Sequence, residues 1–120
     1  ARRGVYAMEQ VATVPQAYLK RYFMRGVGRS AGYVKVKPIL QENIRFQRFN
    51  LMDRFPWRDE MHIIFCRNVM IYFDRPTQEK LVNKFYDCLV QNGYLVIGHS
   101  ESISSLDHRF RPVEATIFRK

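Results

Sequence analysis

Acidic side chains are scarce in this chain. Eleven Asp and Glu stand against twenty Lys and Arg, for a formal net charge of +9. Such an excess draws acidic partners over long range and is screened by salt. Nucleic acid and an acidic protein surface both qualify, and a basic surface that only aids solubility is the plainer alternative. The basic residues are spread along the chain with no block of like charge, which weakens the nucleic-acid reading. Cysteine is limited to Cys66 and Cys88, too few for a disulfide scaffold or a metal motif, although one disulfide stays open. His62, His99 and His108 are too scattered for a zinc site. No apolar run nears the roughly 20 residues that span a bilayer. The opening Arg2-Arg3-Gly4 is basic and leads into no apolar core, so it does not read as a secretory signal. Internal repeats and low-complexity tracts are absent too.

What is present is a globular pattern. Hydrophobic residues make up 47% of 120 positions, enough for one domain or part of one. The first three residues, closed by Gly4, read as the end of a helix, so the chain reads as a piece of a longer protein. A helix is expected from about Pro15 to Phe23, with Tyr18, Leu19, Tyr22 and Phe23 on one face. The glycine-rich run Gly26 to Gly32 leads into an alternating strand, Tyr33 to Lys37, that Pro38 breaks. A second alternating strand is expected over Ile44 to Phe49, with loops at Asn50 to Asp53 and at Pro56-Trp57. Ile63-Ile64-Phe65 reads as a strand buried on both faces, as in a parallel sheet. Asp74-Arg75-Pro76 opens the best helix, whose stripe is Leu81, Val82, Phe85, Cys88 and Leu89 and which Gly93 ends. Tyr94 to Ile97 and Thr116 to Phe118 are the last strands expected. Strand, helix, strand and return strand suit the C-terminal half of a doubly wound α/β sheet.

The chemistry concentrates after Phe65. Arg67 offers planar donors, Asn68 a donor and an acceptor, and Tyr72 a phenol on an aromatic ring. A strand that ends in polar residues before a helix is where open α/β sheets place ligands. That set suits a polar cofactor with a flat base and a charged centre; equally, these polar groups would merely cap the following turn. Gly98-His99-Ser100-Glu101-Ser102 nearly matches the nucleophile elbow of α/β-hydrolases, but its last position is not Gly. Only the adjacent Asp107 and His108 follow it, and neighbours in one short loop make a poor relay.

Phe65 to Asp74 resembles the signature of the chemotaxis receptor methyltransferases, the CheR family. Tyr22-Phe23-Met24-Arg25-Gly26, Asn50-Leu51 and Gly98-His99-Ser100-Glu101 fit the same family in order and spacing. The resemblance covers nearly the whole chain and implies a partial Rossmann-like methyltransferase domain with a small antiparallel β-subdomain inserted at about residues 25–49. It implies methyl transfer from S-adenosylmethionine to receptor glutamates, leaving S-adenosylhomocysteine, in the cytoplasm and with no metal. By resemblance Asn50, Leu51, Arg67 and Asn68 contact the cofactor, and Tyr72 faces the methyl or the substrate carboxylate. The Gly98 segment then lines the active-site mouth. Arg25, Gly26, Gly28, Gly32 and Lys35 belong to a strand that docks a receptor C-terminal peptide at its edge; a flexible hairpin loop is the alternative. The family's glycine loop after the first strand, its acidic ribose ligand and its N-terminal helical domain find no match, so the isolated chain is expected to bind the cofactor weakly and to self-associate. A binding-only relative and a basic nucleic-acid-binding module are the rival readings.

Overall fold

The computed structural model describes residues 2–120. The expectation for the opening residue lies outside them. The chain divides into two compact units, residues 1–48 and 49–120.

The first unit is a three-stranded antiparallel sheet with two short helices. Strands β1 (Val5–Ala7), β2 (Phe23–Arg25) and β3 (Tyr33–Val36) lie in the order β1-β3-β2, so the strand last in sequence is central. Lys35 therefore pairs with Val5 on one side and Met24 on the other. The alternation read from sequence holds here, with Val34 buried between exposed Tyr33 and Lys35. Helix α1 (Gln16–Tyr22) forms where expected, with Pro15 at its N-cap. Lys37 Nζ donates to the Lys20 and Arg21 carbonyls, both at 3.0 Å, and so caps its C-terminal end. Pro38 does more than break β3: it occupies the first turn of α2 (Pro38–Gln41). The strand expected at Ile44 to Phe49 does not form. Those residues are irregular, and Ile44 and Phe46 are about half exposed. Alternation makes a strand only where a neighbour supplies the ladder, and no strand pairs with this segment among the described residues.

The second unit is a mixed four-stranded sheet carrying one long helix. Strands β4 (Met61–Cys66), β5 (Leu89–Ile97), β6 (Arg111–Glu114) and β7 (Ile117–Arg119) take the order β4-β5-β7-β6. The β4–β5 pair is parallel and the other two are antiparallel. Helix α3 (Arg75–Cys88) makes the crossover that a parallel pair requires. Its start is written in the sequence: Asp74 is the N-cap and accepts from the Thr77 N–H at 3.0 Å, with Pro76 in the first turn. Its stripe buries Leu81, Val82 and Phe85 against Leu95 and Ile97 of β5 and Phe118 of β7. Each such side chain contributes on the order of 1.5–3 kcal/mol.

Three expectations are corrected in this unit. Gly93 does not end the helix. The chain turns extended at Leu89, and Gly93 lies inside β5, where a Cβ would come within 2.9 Å of the Val90 carbonyl oxygen. β4 is not buried on both faces. It is an edge strand that tucks in Cys66 while Ile63 and Phe65 stay 53% and 70% exposed. β6 was not expected; its four residues are all exposed, and Pro112 sits where an edge strand tolerates it.

Candidate functional site

The loop that leaves β4 turns on an unusual residue. Asn68 takes φ +59°, a left-handed conformation that Asn tolerates better than most side chains. One carboxylate holds this turn. Glu101 Oε2 accepts from the N–H groups of Asn68 at 2.9 Å and Gly98 at 2.6 Å. Its Oε1 accepts from Val69 at 2.9 Å and Met70 at 2.7 Å. Glu101 is 8% exposed and forms no ion pair among the described residues. Burial pushes its carboxyl up, but the four N–H bonds outweigh this and hold it below the ordinary glutamate range. Gly98 leaves room for the cage: a Cβ there would lie 2.5 Å from Asn68 Oδ1 and 2.8 Å from Glu101 Oε2.

Because Glu101 satisfies the main chain, the side chains named from sequence are not used as caps. Arg67, Asn68 and Tyr72 make no side-chain hydrogen bond among the described residues, and all three are exposed, Tyr72 by 80%. The three stand on one short loop, with Tyr72 closing a 3-10 turn, Met70–Tyr72. Gln78 of α3 braces that turn, donating from Nε2 to the Met70 and Phe73 carbonyls at 2.9 and 3.0 Å.

A second loop is held by a charge of opposite sign. Lys84 of α3 donates from Nζ to the carbonyls of Leu51, Met52 and Asp53 at 3.2, 3.0 and 2.8 Å. Its ammonium also lies 5.2 Å from the Phe55 ring centre. The Asn50 amide is committed locally: Oδ1 accepts from the Met52 N–H at 3.0 Å, and Nδ2 donates to Asp53 at 3.3 Å. Asn50 thus builds its own turn. Leu51 is different and faces an apolar cavity of about 320 Å³, shared with Phe49, Phe65, Cys66, Val69 and Phe85. That cavity adjoins the Arg67-Asn68 turn through Cys66 and Val69. Its wall suits a flat apolar face and the adjoining loop suits polar groups, so the residues present fit part of an adenosyl cofactor. Burial and the Glu101 charge push the Cys66 thiol up to about 11, which makes it a lining group and not a nucleophile.

The residues expected to dock a peptide are brought together only in part. Arg25, Gly26 and Lys35 line one groove of the first unit with Val5, Met24 and Val27. Gly28 and Gly32 do not. They take φ +59° and +85° in the loop before β3, and a Cβ at either would meet nothing within 4 Å. Their positive φ values favour glycine at both positions. Gly26 is the tight position, since a Cβ there would run into the Ser30 carbonyl. Lys35 lies on the central strand, so the free sheet edges among the described residues are β1 and β2.

Sequence reasoning missed the role of Glu101 and of Lys84. The only signal for Glu101 was an acid three residues beyond a glycine at a strand end. His108, the histidine that follows the elbow-like segment, accepts the Phe110 N–H on Nδ1 at 3.2 Å, so that nitrogen does not donate to an acid as a hydrolase relay requires. The charge is also less even than the sequence suggested. Residues 1–48 hold ten Lys and Arg against two Glu, whereas residues 49–120 hold ten against nine acidic side chains.

The family described as CheR methyltransferase, SAM binding domain, matches residues 1–119. The chain is 39% identical to chemotaxis protein methyltransferase 2 of Pseudomonas aeruginosa, over 98% of its own length and 42% of that protein's. It is also 39% identical to the chemotaxis protein methyltransferases of Salmonella typhimurium and Escherichia coli, over 98% of this chain and 41% and 42% of theirs. The chain thus spans about two-fifths of the length of the curated relatives it matches.

Proposed function

The chain belongs to the CheR methyltransferase family, and from that premise we propose that the intact protein methylates glutamate side chains of a chemotaxis receptor. The observation that carries this reading is the set of unused side chains, Arg67, Asn68 and Tyr72, on the turn after β4 beside the Leu51 cavity. S-adenosylmethionine bound there would supply a methyl on a sulfonium for transfer to a glutamate oxygen, which would leave a methyl ester and S-adenosylhomocysteine. Leu51 and the apolar wall take the flat base. Arg67 and Asn68 supply the donors and the acceptor for its polar groups. Tyr72 stands on the exposed side of the loop and orients the incoming carboxylate. That carboxylate is already ionised near neutral pH, so orientation and exclusion of water are what these residues contribute. The β4-α3-β5 unit supplies one half of a doubly wound sheet, whose ligands bind beyond the strand ends.

The first unit serves as the docking piece. Its strongly basic balance fits an acidic receptor segment, and the outer edge of β2, which ends at Arg25 just before Gly26, offers main-chain groups for an added strand. The test is methyl transfer by the intact protein from labelled S-adenosylmethionine to a purified receptor cytoplasmic fragment. A base-labile methyl on receptor glutamates is expected. Arg67→Ala should weaken cofactor binding by about tenfold, the ~1.4 kcal/mol of one lost charge-assisted bond. Tyr72→Phe should lower turnover with little change in cofactor affinity. Cofactor affinity unaffected by Arg67→Ala, or no base-labile product with the wild type, would overturn the reading.

A further inference from the structure

Glu101 ties together the loops that follow the paired strands β4 and β5, just beyond their last ladder partners, Cys66 and Ile97. Three of its four N–H donors leave β4, at Asn68, Val69 and Met70, and the fourth is Gly98 at the end of β5. The Glu101 N–H in turn donates to the Gly98 carbonyl at 3.1 Å, so the carboxylate is folded back over its own turn. We propose that Glu101 is the positioning residue of the cofactor site: its buried carboxylate holds the left-handed turn at Asn68 against the end of β5 and so sets where Arg67 and Asn68 present their side chains. This rests on the reading of that turn as a cofactor-binding loop.

The chemistry of the cage is specific to an ionised glutamate. Four N–H groups converge on two oxygens, and a carboxylate accepts at both. An amide accepts at one oxygen and places N–H groups against main-chain donors at the other, so Glu101→Gln replaces two attractions by two conflicts. Glu101→Asp keeps the charge but is one methylene shorter, about 1.5 Å, and cannot span all four donors unchanged. Glu101 pairs with no basic side chain among the described residues, and the four main-chain N–H groups are what compensate its buried charge. The turn therefore depends on the protonation state of Glu101, and the site above it inherits that dependence.

The experiment uses the intact protein and its Glu101→Gln and Glu101→Asp variants. S-adenosylmethionine is titrated across a pH series, its KM is compared with kcat, and amide exchange is followed at Asn68, Val69 and Met70. Glu101→Gln should bind the cofactor about tenfold more weakly or worse, and Glu101→Asp should recover part of the loss. The penalty should fall on the cofactor KM more than on kcat. Wild-type affinity should hold through the ordinary glutamate range and fall only as pH drops through the lowered folded value, while the Gln variant shows no such step. Exchange at the three amides should quicken in the Gln variant. Equal cofactor affinity in wild type and Gln, or the same acid step in both, would overturn the assignment and leave Glu101 a stability residue. If Gln fails to fold, Asp decides: weaker binding with a cooperative melt supports the proposal, and undiminished binding overturns it. If wild type binds no S-adenosylmethionine, the cofactor reading fails and this proposal fails with it. Amide exchange then still distinguishes the two failures, since quickened exchange shows a real cage under a site of other purpose.

Discussion

At the residue scale, the candidate site combines side chains that reach outward with side chains that hold the main chain still. The first kind was legible in the sequence. Arg67, Asn68 and Tyr72 follow an apolar run and precede a helix cap, and the structure puts all three on one exposed loop. The second kind was not. Glu101 is thirty-three residues from Asn68, and a carboxylate in a polar loop carries no periodicity that would reveal its burial. Gly98→Ala tests the cage without removing its charge. The added Cβ would lie 2.5 Å from Asn68 Oδ1, 2.8 Å from Glu101 Oε2 and 3.0 Å from the Asn68 N, so the cage must give to admit it. The expected cost is roughly 1–3 kcal/mol, read as a lowered urea midpoint. Asn68 can be divided into its two roles by a pair of variants. Asn68→Gly keeps the left-handed turn, whereas Asn68→Ala pays about 1–2 kcal/mol for it. If the Asn68 amide binds the cofactor, both variants lose affinity in calorimetry. Full affinity in the Gly variant would show that only the turn matters. The acid side follows from Glu101 by sign. Its folded value is lowered, so its contribution to stability is complete above the ordinary glutamate range and is lost as pH falls through the folded value. Glu101→Gln should flatten the acid limb of a thermal-midpoint series, and an unchanged limb would assign that limb to other carboxylates.

At the scale of elements, legibility followed the amount of local information. Helix α3 was readable because three independent signals agree: the Asp74 cap, Pro76 in the first turn, and a stripe of Leu81, Val82 and Phe85. Leu81 is 1% exposed, so Leu81→Ala should cost about 2–5 kcal/mol by chemical denaturation. The errors share a cause. Residues 44–49 alternate as a strand should, yet pairing is decided by partners that a local pattern cannot see. The end of α3 was misplaced because Gly93 looks like a C-cap, while the helix stops at Cys88 and the glycine is needed where β5 passes close to Val90 and His62. β6 is wholly exposed and so lacks an apolar face to announce it. Helix α3 also acts on the site through Lys84, whose three carbonyl contacts pin the Asn50–Asp53 turn. Lys84→Met should free that turn while leaving the helix intact. Faster amide exchange over 50–53 and weaker cofactor binding, with an unchanged helical circular-dichroism signal, are the expected result. Unaltered exchange would show that the Asn50 amide suffices to hold its own turn.

At the scale of the molecule, the free edge of the second sheet decides how the chain behaves in solution. β4 has a partner on one side only among the described residues, and its outward side chains Ile63 and Phe65 are 53% and 70% exposed. An apolar strand with an unpaired row of N–H and C=O groups is a template for another strand. Nothing in β4 counters this, since it carries no Lys and no Pro, in contrast to β6 with its Pro112 at the opposite edge. The net charge of +9 repels like copies, but the basic excess resides in residues 1–48, and residues 49–120 are nearly balanced. Repulsion is therefore weakest on the unit that bears the exposed edge, and added salt screens what there is. The 120-residue chain by itself should self-associate through β4, increasingly so as ionic strength rises. Ile63→Lys should reverse this, because a charge on the outward face of an edge strand opposes pairing. Ile63 does not line the Leu51 cavity, whereas Phe65 does, so Ile63→Lys separates association from cofactor binding and Phe65→Lys should disturb both. Sedimentation or light scattering on the three chains checks the point. A monomer at high concentration and high salt in the unsubstituted chain would mean that the β4 edge is protected by something other than its own residues.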